Sequence, residues 1–197
     1  MTVHVIARSL PRLHCRCVVT VSPMLVIAAT ARELGKTRNG VACGVGPVDA
    51  AAVTAAVIAE RRPRAVLHVG LAGVRGYMGP ELVIGSDAVY CDSDSNLVTK
   101  RVDPDPVLLA RARSAFPGAR VCTIGMSGSV GGTTGVDVEA MEGFSVLRAC
   151  GFAGVPAIEV RAVCNDVDEP DRSKWEFEKA LTLLHDAIPH LLVALDG

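Results

Sequence analysis

Several apolar runs in this chain are nearly unbroken yet too short for anything but buried strands. Residues 24–29 read MLVIAA and residues 65–69 read AVLHV. Runs of this length without polar alternation are what strands covered on both faces look like. Between them lie helical stretches, the clearest being the Ala-rich segment 48–60, which starts just after Pro47. The pattern predicts strands over 24–29, 41–46, 65–69, 82–90, 119–124 and 157–163. It predicts helices over 48–60, 106–116, 138–150 and 172–184, with Pro189 breaking or kinking the chain near its end. Strands alternating with helices give an α/β fold, a three-layer α/β/α sandwich around a mixed, mostly parallel sheet. Ligands of such sheets bind outside the carboxyl ends of the strands.

The size of the chain, 197 residues, fits one domain, expected over 24–197. Residues 1–23 carry Arg8, Arg12, Arg16, His4 and His14 but no acid, and are expected to be an extension or a mis-assigned start before Met24. Lys plus Arg total 20 against 21 Asp plus Glu, so no basic field exists to hold a nucleic-acid backbone. No run approaches the roughly 18 apolar residues that span a bilayer. The seven cysteines are Cys15, Cys17, Cys43, Cys91, Cys122, Cys150 and Cys164. Cys15 and Cys17 lack the second pair a zinc site needs, so free thiols in a reducing cytoplasm are expected.

Five short stretches hold the residues with chemistry. Glu33 follows the first strand in AATARELG, where a carboxylate is either a general base at a strand end or an ordinary first-turn acid. Cys43–Pro47 (CGVGP) and His68–Gly73 (HVGLAG) are strand-to-helix turns whose small residues allow close backbone approach to a ligand. Neither matches a P-loop or a dinucleotide fingerprint. Residues 138–144 (VEAMEGF) set Met141 beside Glu142, giving either an apolar face with an acceptor for a sugar or a core Met with a solvated acid. Residues 159–165 (EVRAVCN) place Arg161 in an apolar strand ending at Asn165. If that Arg is buried it demands a carboxylate, for which Glu33 is the candidate; otherwise Glu159 and Arg161 face water on an edge strand.

GVGP, GLAG, VEAMEG and EVRAVCN, followed by DRSKW, occur in the order seen in the nucleoside phosphorylase/nucleosidase superfamily, and the resemblance covers about residues 24–184. VEAMEGF and RAVCN…DRSKW resemble most the futalosine hydrolases, which release hypoxanthine in one route to menaquinone. The resemblance implies roles residue by residue. Glu33 would activate the attacking water, and Arg161 would orient that water and that acid. Met141 would pack on ribose and base, Glu142 would accept from the ribose hydroxyls, and Asn165 would engage the purine near N7. Ala72 and Gly73 would line base and sugar, and Trp175 would lie near the 5′ side. Gly44, Gly46, Leu71, Glu139 and Ala140 would complete the substrate wall. No cofactor or metal is implied, and a cytoplasmic homo-oligomer is expected.

Two residues depart from the superfamily's adenine-cleaving and phosphate-using members. Relatives acting on adenine nucleosides carry Asp where Asn165 stands. An amide cannot protonate N7, but it donates to N7 and to a 6-oxo group, which favours hypoxanthine; a register shift onto Asp166 would weaken that inference. Phosphorylases carry a Ser where Leu71 stands, and an apolar side chain leaves a phosphate oxygen unpaired, which favours hydrolysis. Arg32 and Arg75 remain as alternative phosphate ligands, and Arg75 and Arg172 as partners for an anionic 5′ group. Only seven residues separate Glu33 from Val41, and Gly125, Gly128, Gly131, Gly132 and Gly135 mark a short, mobile loop. A phosphorylase, an adenine-releasing nucleosidase and a non-catalytic nucleoside binder are the competing readings.

Overall fold

A computed structural model of the protein describes residues 23–131 and 134–196. The expectations that fall on residues 1–22, with His4, His14, Cys15 and Cys17, and on Gly132 lie outside the described residues.

Strand β1 (Leu25–Ala28) is buried at all four positions, as an unbroken apolar run requires. It pairs in parallel with β2 (Gly40–Ala42) on one side and β3 (Val66–Val74) on the other. β3 was expected to end at Val69 but continues through the GLAG segment. The reason is its neighbour β8 (Ala157–Asp166), which pairs with it from Val66–Ala157 to Val74–Asp166 and supplies partners for the backbone of the small residues. A bulge between Ala72 and Gly73 shifts this register by one residue of β8.

The remaining strands are β4 (Leu82–Tyr90), β5 (Arg101–Val102), β6 (Arg120–Met126) and β7 (Val138–Ala140). β8 also pairs with β4, while β7 bridges β3 to β6, and β6 pairs with β4. Strands β3, β8, β4, β6 and β7 therefore close into a ring within the mixed sheet. Ala72, Val74, Val83, Ile124, Val138, Ala140 and Val163 form a separate small core there.

Helices cover both faces, as the alternation predicts. Helices α1 (Ala31–Leu34), α3 (Pro106–Ala115) and α5 (Phe177–Asp196) share one core with β1, β3 and β8. Helices α2 (Pro47–Arg61) and α4 (Gly143–Ala153) share the other. Three expectations need correction. The helix expected over 172–184 begins only at Phe177, after a 3-10 turn at Arg172–Lys174 capped by Asp171. Residues 138–140 are a strand rather than the start of a helix, because β3 and β6 flank them with open hydrogen-bonding edges. Pro189 does not end α5: it sits inside the helix, and Leu191 and Leu195 beyond it are fully buried. Packing of that apolar face outweighs the one backbone hydrogen bond a proline removes. Among the described residues no helix is long and apolar enough to cross a membrane.

Candidate active site

Glu33 is placed by local chemistry. Thr30 caps α1, its Oγ1 accepting from the Glu33 backbone N–H, while Glu33 Oε2 accepts from the Thr30 N–H and Oγ1 at 2.8 Å each. This capping box folds the carboxylate back over the end of β1. There Oε1 accepts from the Leu71 N–H at 3.0 Å. Every partner is a donor, and three accepted bonds leave the carboxylate room for one more.

Arg161 is placed by the whole sheet. It lies on the central strand β8 and is fully buried, so the edge-strand reading falls. Its Nε donates to Glu159 at 2.7 Å, and its Nη1 donates to Glu142 Oε2 and the Leu71 carbonyl at 3.3 Å each. Its Nη2 meets His68 Nε2 at 2.6 Å. The expected partner, Glu33, makes no direct hydrogen bond with it. The two meet above Gly70, where an added Cβ would fall 2.3 Å from Arg161 Nη1 and 2.8 Å from Glu33 Oε1, so only glycine fits. Burial opposes the charge on Arg161, but Glu159, Glu142 and Glu33 outweigh it and hold the guanidinium above its ordinary pKa.

Glu142 caps the geometry from the third side. It is 4% exposed, takes Nη1 of Arg161 on one oxygen and the Gly46 N–H on the other at 3.1 Å. Gly46 has φ +92°, a conformation that turns its N–H toward Glu142 at little cost for glycine alone.

These groups floor a cavity of about 340 Å³. Of the residues singled out in the sequence, Glu33, Leu71, Ala72, Gly73, Glu139, Ala140, Met141, Glu142, Asn165 and Trp175 line it. Three do not. Arg161 lies behind the wall and donates to Glu142 and the Leu71 carbonyl. Gly44 and Gly46 shape the turn whose Val45 reaches the cavity instead. Glu139 is engaged with the neighbouring loop, accepting from the Gly131 N–H at 3.0 Å and from Thr134.

Asn165 projects at the carboxyl end of β8. Its Nδ2 donates to the Asp166 carbonyl at 2.7 Å and its Oδ1 takes the Cys164 thiol at 3.2 Å, which fixes which end of the amide is which and leaves one N–H for a ligand. Asp166 is outside the cavity: its carboxylate accepts from the backbone N–H groups of Gly76, Tyr77 and Asp168, which hold its pKa down. Trp175 is steered by its indole N–H, which donates to the Glu169 carbonyl at 3.0 Å, and its ring tilts against Phe177. Arg172 lies over that ring, and Arg75 pairs with Asp168 at 3.1 Å.

Sequence reasoning missed Thr30, Val45, Val130, Cys164, Phe177 and Leu181 on the wall, and His68 and Glu159 behind it. The capping box at Thr30 and Glu33 was readable. The others have no local signal, because long-range packing puts them there. Cys164 is no nucleophile: burial, then the Glu33 charge, push its thiol up to about 12. Among the described residues no cluster of three or more His, Cys, Asp or Glu could hold a metal ion.

Known proteins resemble this chain over most of its length. The family model of the phosphorylase superfamily matches residues 28–195. A futalosine hydrolase from Streptomyces coelicolor is 34% identical over 190 residues, covering 79% of this chain and 79% of its own. Among solved structures, a futalosine hydrolase of Helicobacter pylori superposes with a TM-score of 0.78 at 15% identity, covering 87% of this chain and 97% of that one. A 5′-methylthioadenosine/S-adenosyl homocysteine nucleosidase from Helicobacter pylori gives 0.77 at 16% identity, covering 89% and 98%. At those identities the two structures speak for the fold. This chain belongs to the phosphorylase superfamily and, within it, to the futalosine hydrolase family.

Proposed function

We propose that this protein hydrolyses the N-glycosidic bond of a 6-oxopurine nucleoside, namely futalosine, to release hypoxanthine. The observation that carries the reading is the cavity lining: Glu33, Glu142 and Asn165 all border one space. In this reading Glu142 accepts from the ribose hydroxyls and fixes the sugar. The remaining Asn165 N–H donates to the purine as negative charge builds on the leaving base, a type of donor whose removal costs roughly 10²–10³ in kcat. Glu33 takes the proton of the water that attacks C1′, a role that contributes typically about 10²–10⁴-fold. Arg161 stands behind Glu142 and beside Glu33 and keeps both in place.

Hydrolysis rather than phosphorolysis is supported by Leu71, whose apolar side chain lines the cavity where a phosphate would need a donor. The two arginines considered for phosphate have other partners. Arg32 lines the cavity but pairs with Glu178, and Arg75 pairs with Asp168 without lining the cavity. Val45, which lines the cavity, and Val48 in the first turn of α2 are exposed apolar residues that support a homo-oligomer, which light scattering checks. The five described cysteines are free, which fits a reducing cytoplasm.

The test is a substrate panel of futalosine, inosine and methylthioadenosine, each with and without phosphate, with the free base followed by chromatography. The reading expects hypoxanthine, strongest from futalosine and indifferent to phosphate. Adenine release would overturn the role given to Asn165, and phosphate dependence would make the protein a phosphorylase.

A further inference from the structure

The guanidinium of Arg161 is held by two side chains that never reach the cavity. Glu159 and His68 are each wholly buried, and neither lines the wall. Glu159 takes Nε, and His68 takes Nη2. That leaves Nη1 as the only end of the guanidinium turned toward Glu142 and the Leu71 carbonyl.

Hydrogen-bond arithmetic fixes the state of His68. An arginine only donates, so Nε2 must accept. The Ile27 carbonyl, 3.0 Å from Nδ1, only accepts, so Nδ1 must carry the proton. One neutral tautomer satisfies both neighbours, and a second proton would set an imidazolium N–H against a guanidinium N–H. The groups facing the ring are Arg161 from β8 and the Ile27 carbonyl from β1.

Glu159 is fitted just as tightly. An added Cβ on Gly143 would fall 2.2 Å from each of its carboxylate oxygens. The carboxylate therefore lies directly under the first residue of α4, and the glycine that follows Glu142 is required by Glu159 rather than by the ligand. One oxygen of Glu159 has no hydrogen-bond partner among the described residues. This fully buried carboxylate gives its hydrogen bond to Arg161 Nε and is fitted to that guanidinium.

We propose that His68 and Glu159 are positioning residues of the hydrolytic reaction, a buried clamp that orients Arg161 so that its Nη1 holds Glu142 and the Leu71–Glu33 contact in register. The proposal rests on the hydrolase reading above.

The experiment compares His68→Leu, His68→Asn, Glu159→Gln and Gly143→Ala with the unaltered protein on futalosine, with the folded fraction of each checked by circular dichroism. The expected result is a fall in kcat of tenfold or more for His68→Leu, Glu159→Gln and Gly143→Ala, with KM within about threefold. His68→Asn, which keeps a donor and an acceptor, recovers most of kcat. Where His68→Leu does not fold, the other three carry the test. A kcat within twofold of the unaltered protein in every folded variant overturns the clamp. A second readout needs no turnover: ¹⁵N NMR of the His68 ring should show the neutral Nδ1–H tautomer down to pH 5. A ring that titrates near pH 6.5 overturns the clamp by itself. An unaltered protein without turnover overturns the hydrolase reading and the clamp's part in the reaction with it, whereas a titrating ring in a protein that does turn over overturns the clamp alone.

Discussion

The floor and the wall of the cavity are built in different ways. The floor consists of Glu33, Glu142 and, behind them, Arg161, His68 and Glu159, all 7% exposed or less and bonded to one another or to backbone. It draws on β1, α1, β3, β8 and the start of α4, so no single loop can move it. The outer part of the wall, Met141, Val130, Trp175 and Phe177, is partly or well exposed and comes from short connections and the start of α5, while Cys164, Asn165 and Leu181 form its buried inner part. The difference separates two questions. In the proposed reading the floor decides what bond is broken, because its charges are fixed before a ligand arrives, while the apolar outer wall selects the nucleoside by shape and Asn165 selects the base.

This division breaks or sharpens with a few substitutions. The largest effect belongs to Arg161→Ala, which leaves Glu159 and Glu142 buried without a counter-charge. It should cost about 3–5 kcal/mol in urea unfolding and abolish turnover; a variant of unaltered stability would show that the floor is not a connected unit. Glu33→Gln should lower kcat by about 10²–10⁴ for every nucleoside alike and cost about 1–3 kcal/mol of stability, since the amide NH₂ cannot accept from the Thr30 or Leu71 donors that the lost oxygen served. Asn165→Ala should lose roughly 10²–10³ in kcat. Asn165→Asp should shift preference from a 6-oxopurine toward a 6-aminopurine nucleoside in a competition assay, and an unchanged preference would take base selection away from this residue. Trp175→Ala should raise KM for futalosine a few-fold, by about the 0.5–1.5 kcal/mol of an aromatic contact, and leave inosine nearly untouched.

The smallest effect is on stability against pH. Burial, then the Arg161 charge, hold the pKa of His68 well below its ordinary value, so the native state refuses a proton that the unfolded chain accepts below about pH 6.5. The stabilisation is complete above that pH and is lost as pH falls, by up to about 1.4 kcal/mol per pH unit. Urea titrations at pH 7, 6 and 5 should show this slope, and His68→Asn should remove it. Identical slopes in both proteins would contradict a neutral, buried His68.

The same division explains what was legible in the sequence. The strands were readable because a strand buried on both faces leaves an unbroken apolar run, as at β1. Glu33 and Asn165 stood out because each follows or ends such a run beside small residues, while Glu142 stood out only through its place in VEAMEGF and the family resemblance. The partners of Arg161 were not. Glu33 was the obvious carboxylate by position, yet Glu159, two residues away on the same strand face, makes the shorter contact. Alternation puts both on one side of β8, and only the closure of that face by α4 shows that the side is buried. His68 looked like a scattered histidine because its two partners come from β1 and β8, 41 and 93 residues away. Residues 138–140 have apolar periodicity suited to a helix, and only the open edges of β3 and β6 make them a strand.

The most direct measurement of the central claim is the rate of hypoxanthine release from futalosine in phosphate-free buffer, by the unaltered protein and by Glu33→Gln side by side. The predicted result is steady turnover by the first that falls at least a hundredfold in the second. Equal rates, or release only when phosphate is added, would contradict a hydrolase with Glu33 as its base.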